Sequence, residues 1–190
     1  METTIVHLPN QSRVFIVENV LDQATLDYAH GLAAAFAEDN PLWHRAGTAE
    51  HHPRWEYDTS DISFAPVKQA FSNPEHLAYW KSQLAPNNPR EVFCSHITFF
   101  IDYPGSPPLL PHKEGSNSWL SQVYIAKQTH KYGGTTVYND RQKLLFQLPY
   151  RDNMGWLFDN GATVMHGRSH PVAEGIDRFS LMIWYALIPD

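Results

Sequence analysis

Residues 91–103, EVFCSHITFFIDY, decide the architecture, because β-branched and aromatic residues crowd into one short run that stops at Pro104–Gly105. Runs of the same kind recur to the C-terminus: WLSQVYIAK (119–127), GGTTVYN (133–139), KLLFQLPY (143–150), GWLFDN (155–160), ATVMH (162–166) and RFSLMIWYALI (178–188). Gly, Pro and Asn punctuate them, and no helical period intervenes. Toward the N-terminus the character changes. RVFIVENVL (13–21) reads as a strand leading into a helix, with Asp22 as N-cap of QATLDYAHGLAAAFAED (23–39). PEHLAYWKSQLA (74–85) reads as a second helix, with proline in its first turn and apolar Leu77, Trp80 and Leu84. Between them, NPLWHRAGTAEHHPRWEYDTS (40–60) has no period and reads as a long functional loop.

Helices first and many short strands afterwards predict a mainly β protein with N-terminal helices, an antiparallel sandwich or distorted barrel rather than a parallel doubly wound sheet. The 190 residues fit one domain, with a helical buttress at about 20–85 and a β core at about 90–188. Fourteen basic against 20 acidic residues give no general attraction to phosphate backbones or anionic lipid, which argues against nucleic-acid and membrane partners. One cysteine, Cys94, allows no internal disulfide framework, and METTIVHLPNQSRVF lacks the basic and apolar regions of a signal peptide. No apolar run, the short GLAAAFA (31–37) included, approaches the roughly 20 residues needed to span a bilayer. A cytoplasmic, reduced protein is expected.

His112 and Glu114 stand two apart, so on a strand they point the same way and can share an ion. By itself such a pair is unremarkable in a chain with 11 histidines. Its weight comes from the C-terminal segment, where His166 closes a short run, Arg178 opens another, and Ser180 follows two residues on. Two histidines and a carboxylate make a facial triad with three open positions, the set used by non-haem iron(II) oxygenases, whereas zinc usually prefers a tetrahedral site. An arginine facing the same interior suits a carboxylate. Read structurally, Arg178 is instead a strand-edge ion-pair partner, and Trp184 and Met182, on its face, are core packing.

These pieces together resemble the 2-oxoglutarate- and iron(II)-dependent oxygenases, most of all their prolyl-hydroxylase branch. The likeness covers roughly residues 92–188: IDYPGSPPLLPHKE (101–114) resembles the Tyr-Pro-Gly turn before the His-x-acid motif, SQVYIAK (121–127) the next core strand, YGGTTVY (132–138) the Gly-Gly strand start, and RFSLMIWY (178–185) the arginine strand. The resemblance implies a double-stranded β-helix (jelly roll) core and Fe(II) held by His112, Glu114 and His166. It also implies 2-oxoglutarate held by Arg178, Ser180, Tyr103 and Tyr124, with O2 as the other co-substrate, and hydroxylation of an unactivated C–H bond on a small-molecule, amino-acid or peptidyl substrate, a prolyl one included. Glu114 departs from the aspartate of most relatives. HGRSHPV (166–172) offers two distal histidines: His166 stands twelve residues before Arg178, within the family's nine to twelve, and His170 eight, which leaves His170 and Trp184 for supporting or substrate-facing roles. Gly133 and Gly134 are strand-start residues without chemistry of their own. His44, His51, His52 and Trp55 would line a substrate cleft or form a second metal site, with an exposed polar loop as the plainer reading. The rival readings are a cupin-like metalloprotein of other chemistry and a non-catalytic β-barrel binding or sensing module.

Overall fold

The computed structural model describes residues 1–48, 51–114, 119–160 and 162–189. In chain order it contains β1 (Glu2–His7), β2 (Arg13–Glu18), α1 (Gln23–Ala34), β3 (Trp43–Thr48), β4 (His51–Tyr57), α2 (Ala65–Ser72), α3 (Pro74–Leu84), β5 (Val92–Asp102), β6 (Leu109–His112), β7 (Trp119–Ile125), β8 (Thr136–Tyr138), β9 (Leu144–Gln147), β10 (Met154–Phe158), β11 (Met165–Arg168) and β12 (Arg178–Leu187). The strands form an eight-stranded sheet, β1-β2-β10-β7-β12-β5-β4-β3, and a four-stranded sheet, β6-β11-β8-β9. The ladders within both sheets are antiparallel. This is the mainly β, antiparallel architecture with N-terminal helices that the punctuation of short strands predicts, with the jelly-roll core that the resemblance implies.

The starts of α1 and α3 follow from their caps. Asp22 accepts from the Thr25 amide, and Asn73 accepts from the Glu75 amide ahead of Pro74, which needs no donor in the first turn. The helices pack on one face of the large sheet, where Leu26, Ala29, Val67, Phe71 and Trp80 meet Phe15, Phe99, Ile101, Leu181 and Ile183. The opposite face of that sheet packs on the small sheet through Val14, Leu120, Tyr124, Trp156 and Phe158 against Val137. Strand alternation accounts for this division. Along β12, Phe179, Leu181 and Ile183 go to the helix side, while Met182 and Trp184 go between the sheets. On β12, chemistry between the sheets must therefore come from the parity of Arg178.

The segment 40–60 is not a loop through most of its length. Trp43–Thr48 and His51–Tyr57 pair as a hairpin at the edge of the large sheet, and Trp55 and Tyr57 are buried on the helix side. The alternation of Arg54 and Glu56 with Trp55 and Tyr57 is the strand signal that the His- and Pro-rich composition hides. Of the four residues of that cluster, Trp55 is a core residue and His44 is exposed, while the side chains of His51 and His52 lie outside the described residues. Among the described residues no helix is long and apolar enough to cross a membrane.

Candidate metal centre and basic wall

Two sheets build the site. In the small sheet β6 and β11 pair so that His112 stands directly opposite His166, with ring centroids 4.5 Å apart. Glu114 lies two residues past the end of β6 and turns back, placing Oε1 3.3 Å from His166 Nε2 and 3.7 Å from His112 Nε2. One ligand atom from each of the three residues lies within 4.8 Å of the others. The His-x-Glu spacing works here by reach from a strand end, not by alternation inside a strand.

The imidazoles are oriented for ligation. His112 donates Nδ1–H to the Leu110 carbonyl at 3.0 Å, and His166 donates Nδ1–H to the Val164 carbonyl at 3.2 Å, so each presents Nε2 to the centre. Trp156 and Phe158 pack on the ring of His166, at 5.6 and 4.8 Å between centroids. The His112 and His166 imidazoles hold the Glu114 carboxyl down to about 2, and Glu114 in turn raises His112. The carboxylate is thus ionised and ready for a cation across the physiological range. His166 does not close its strand as the sequence run suggests; β11 continues to Arg168. Gly167 allows close approach of the chain, since a Cβ there would meet the Leu109 carbonyl oxygen at 2.5 Å.

In the large sheet the register sets Asp102 of β5 directly between Arg178 of β12 and Arg54 of β4. Arg178 Nη1 donates to Asp102 Oδ2 at 2.6 Å and Nε to the Gly133 carbonyl at 2.7 Å, so the Gly-Gly strand start does contribute one atom, an oxygen. Arg168, from β11, adds Nη1 to the same Asp102 oxygen at 2.8 Å. Burial pushes the Asp102 carboxyl up, but the guanidiniums of Arg178, Arg54 and Arg168 outweigh it and hold it below its ordinary range. Three cations around one anion would be poorly tolerated in a dry core. Here they line a cavity of about 180 Å³, together with His112, Glu114, His166, Gln122, Thr135 and Trp156.

The other expected contacts are distributed differently. Tyr124 is buried beneath the site. Its hydroxyl accepts from the Thr135 amide at 2.7 Å and donates to Thr135 Oγ1 at 2.9 Å, while its ring face carries the Arg178 guanidinium at 5.3 Å. It supports Arg178 and does not line the cavity. Ser180 shares the parity of Arg178, and its buried hydroxyl has no partner among the described residues and is not part of the lining. Tyr103 is not brought to the cavity. Asp102 faces it, so Tyr103 points to the helix side and packs edge-on against Phe36 at 6.4 Å. His170 is exposed, stacked on Tyr132 and bonded to Ser169 Oγ at 2.8 Å, away from the ligand cluster. Trp184 lies beyond Met182 on the inter-sheet face, with its ring 5.2 Å from that of His96.

Several lining residues are not singled out by the sequence, among them Arg54, Asp102, Gln122, Thr135, Trp156 and Arg168, although Asp102, Gln122, Thr135 and Arg168 lie inside motif segments quoted above. Tyr124, Thr135 and Gln122 form a directed chain in which Thr135 Oγ1 donates to Gln122 Oε1 at 2.8 Å, so the carboxamide N–H groups of Gln122 are left for the cavity.

Neither a protein-family model nor a curated protein sequence matches the chain. Solved structures do. An oxidoreductase of the 2OG-Fe(II) oxygenase family from Burkholderia pseudomallei aligns over 91% of this chain and 84% of its own, with a TM-score of 0.69 at 11% identity. A prolyl hydroxylase from Trichoplax adhaerens, solved with a hypoxia-inducible-factor peptide, aligns over 90% and 82%, with a TM-score of 0.67 at 11% identity. SnoN, a non-haem α-ketoglutarate-dependent epimerase of nogalamycin biosynthesis also solved with Fe3+ and α-ketoglutarate, aligns over 91% and 77%, with a TM-score of 0.67 at 14% identity. The chain therefore has the fold of the 2-oxoglutarate- and iron(II)-dependent oxygenases.

Proposed function

We propose that the chain is a 2-oxoglutarate- and Fe(II)-dependent dioxygenase, one domain acting in the cytoplasm, that hydroxylates an unactivated C–H bond of an amino-acid, peptidyl or other small substrate. The observation that carries the reading is the meeting, in one cavity, of a two-histidine, one-carboxylate cluster with a wall of arginines. The donor set fits the ion: two imidazole nitrogens anchored from behind and one ionised carboxylate occupy one face, and no thiolate is near to favour a closed zinc site.

When bound, Fe(II) and 2-oxoglutarate supply oxidative decarboxylation and the oxidant that attacks the C–H bond. The chain's own residues bind and orient. His112, Glu114 and His166 hold the metal from one side. Arg178 takes the distal carboxylate of 2-oxoglutarate through Nη2, which donates to no protein acceptor among the described residues, so it offers one free arm. Asp102 and Tyr124 keep that guanidinium in plane, and Phe100, Trp156 and Met182 exclude water around the reacting atoms. The hydroxylation reading is checked by incubating the Fe(II) protein with 2-oxoglutarate and a panel of amino acids, prolyl peptides and small metabolites. One member should raise succinate formation well above the substrate-free rate and gain 16 mass units; stimulated succinate with an isomeric product would replace hydroxylation by stereoinversion.

A further inference from the structure

The three guanidiniums at the cavity are not equivalent. Arg168 is consumed by the fold: it donates to Asp102, to the Pro107 carbonyl at 2.6 Å, to the Ser106 carbonyl at 3.4 Å and to the His170 carbonyl at 3.2 Å, tying the turn after β5 to β11. Arg178 is half consumed, by Asp102 and Gly133. Arg54 donates no hydrogen bond among the described residues. Its nearest anion is Asp102, with Nε 3.8 Å from Oδ1, and it forms no ion pair with Glu56, two residues along its own strand. What holds it is the face of Phe100, 4.2 Å from the guanidinium carbon to the ring centroid, a contact that fixes the plane and leaves the N–H edges free. Its side chain is 20% exposed, against 4% and 5% for Arg168 and Arg178, which sets it on the open side of the cavity.

Charge closes the case. With the site loaded as proposed above, an iron(II) and three arginines bring five positive charges. Glu114, Asp102 and a 2-oxoglutarate dianion bring four negative ones. One positive charge is left, and Arg54 is the group with free donors to carry it. Resting on the oxygenase reading, we propose that Arg54 captures an anionic oxyacid group, a carboxylate or a phosphate, on the primary substrate, and so selects substrates that carry one near the oxidised carbon.

The test uses the Mn(II)-loaded full chain saturated with 2-oxoglutarate, in which paramagnetic broadening of proton signals reports small molecules near the metal without turnover. Acetate and methyl phosphate are the probes, and acetamide is the neutral control. Broadening of acetate, of methyl phosphate or of both is expected, with none of acetamide, and whichever anion broadens identifies the oxyacid. Arg54→Gln should cut that broadening at least about tenfold, the loss expected for a charge-assisted bond, while changing the 2-oxoglutarate constant less than about threefold. Equal broadening of acetamide, anion broadening that survives Arg54→Gln, or a tenfold loss of 2-oxoglutarate in that variant would each overturn the proposal, the last by giving Arg54 to the co-substrate. Failure of 2-oxoglutarate to bind the wild-type Mn(II) protein would instead overturn the oxygenase reading, and the proposal with it.

Discussion

Replacing His166 with alanine is expected to abolish metal binding and succinate formation together, whereas His170→Ala keeps both. His166 sits opposite His112 in the ladder, has its Nδ1–H bound to a backbone carbonyl and its Nε2 3.3 Å from Glu114; an alanine leaves one imidazole and one carboxylate, too few ligands to hold a labile divalent ion. His170 is four residues on, exposed and stacked on Tyr132, and only its carbonyl touches Arg168. A surface change of that kind costs within about 0.5 kcal/mol, so metal affinity and rate should move by less than about threefold. Iron content after dialysis and succinate release, measured on both variants with matched thermal midpoints, check this. Iron lost only from the His170 variant would reassign the ligand.

Arg178→Gln is expected to raise the 2-oxoglutarate constant by about tenfold to a hundredfold while leaving metal affinity nearly unchanged. One charge-assisted hydrogen bond in a partly dry cavity contributes about 1.5–3 kcal/mol, and Nη2 offers one such arm. The variant should still fold. Asp102 keeps Arg168 at 2.8 Å, so no bare carboxylate is left in the core, whereas removing Asp102 would strand buried guanidiniums at a cost of about 3–5 kcal/mol. Titration calorimetry of 2-oxoglutarate into the Mn(II)-loaded variant gives the constant. An unchanged value would assign the distal carboxylate to Arg54.

The uneven legibility of this chain has physical causes. Asp22 and Pro74 mark their helices because caps act within four residues, and the meeting of His112, Glu114 and His166 could be read because His112 and Glu114 are local to each other and His166 stands beside a strand signal. The basic wall could not be read, because it depends on register. Arg54, Asp102 and Arg178 are 48 and 76 residues apart, and only the β4-β5-β12 pairing makes them neighbours. Tyr103 fails for a related reason. Both faces of β5 are buried near its end, so ITFFIDY shows no alternation to tell which of Asp102 and Tyr103 faces the cavity. The short helix Ala65–Ser72 and the edge strand Glu2–His7 were also hidden, the first resting on little more than Val67 and Phe71 at i and i+4, the second largely exposed.

Anaerobic addition of iron(II) and then 2-oxoglutarate, followed by visible absorption, tests the central claim most directly. The account predicts one iron(II) per chain and a weak charge-transfer band that needs both additions, is missing in His166→Ala and fades on admitting air as succinate forms. A folded protein that binds no iron(II), shows no band with both present and releases no succinate in air would contradict it.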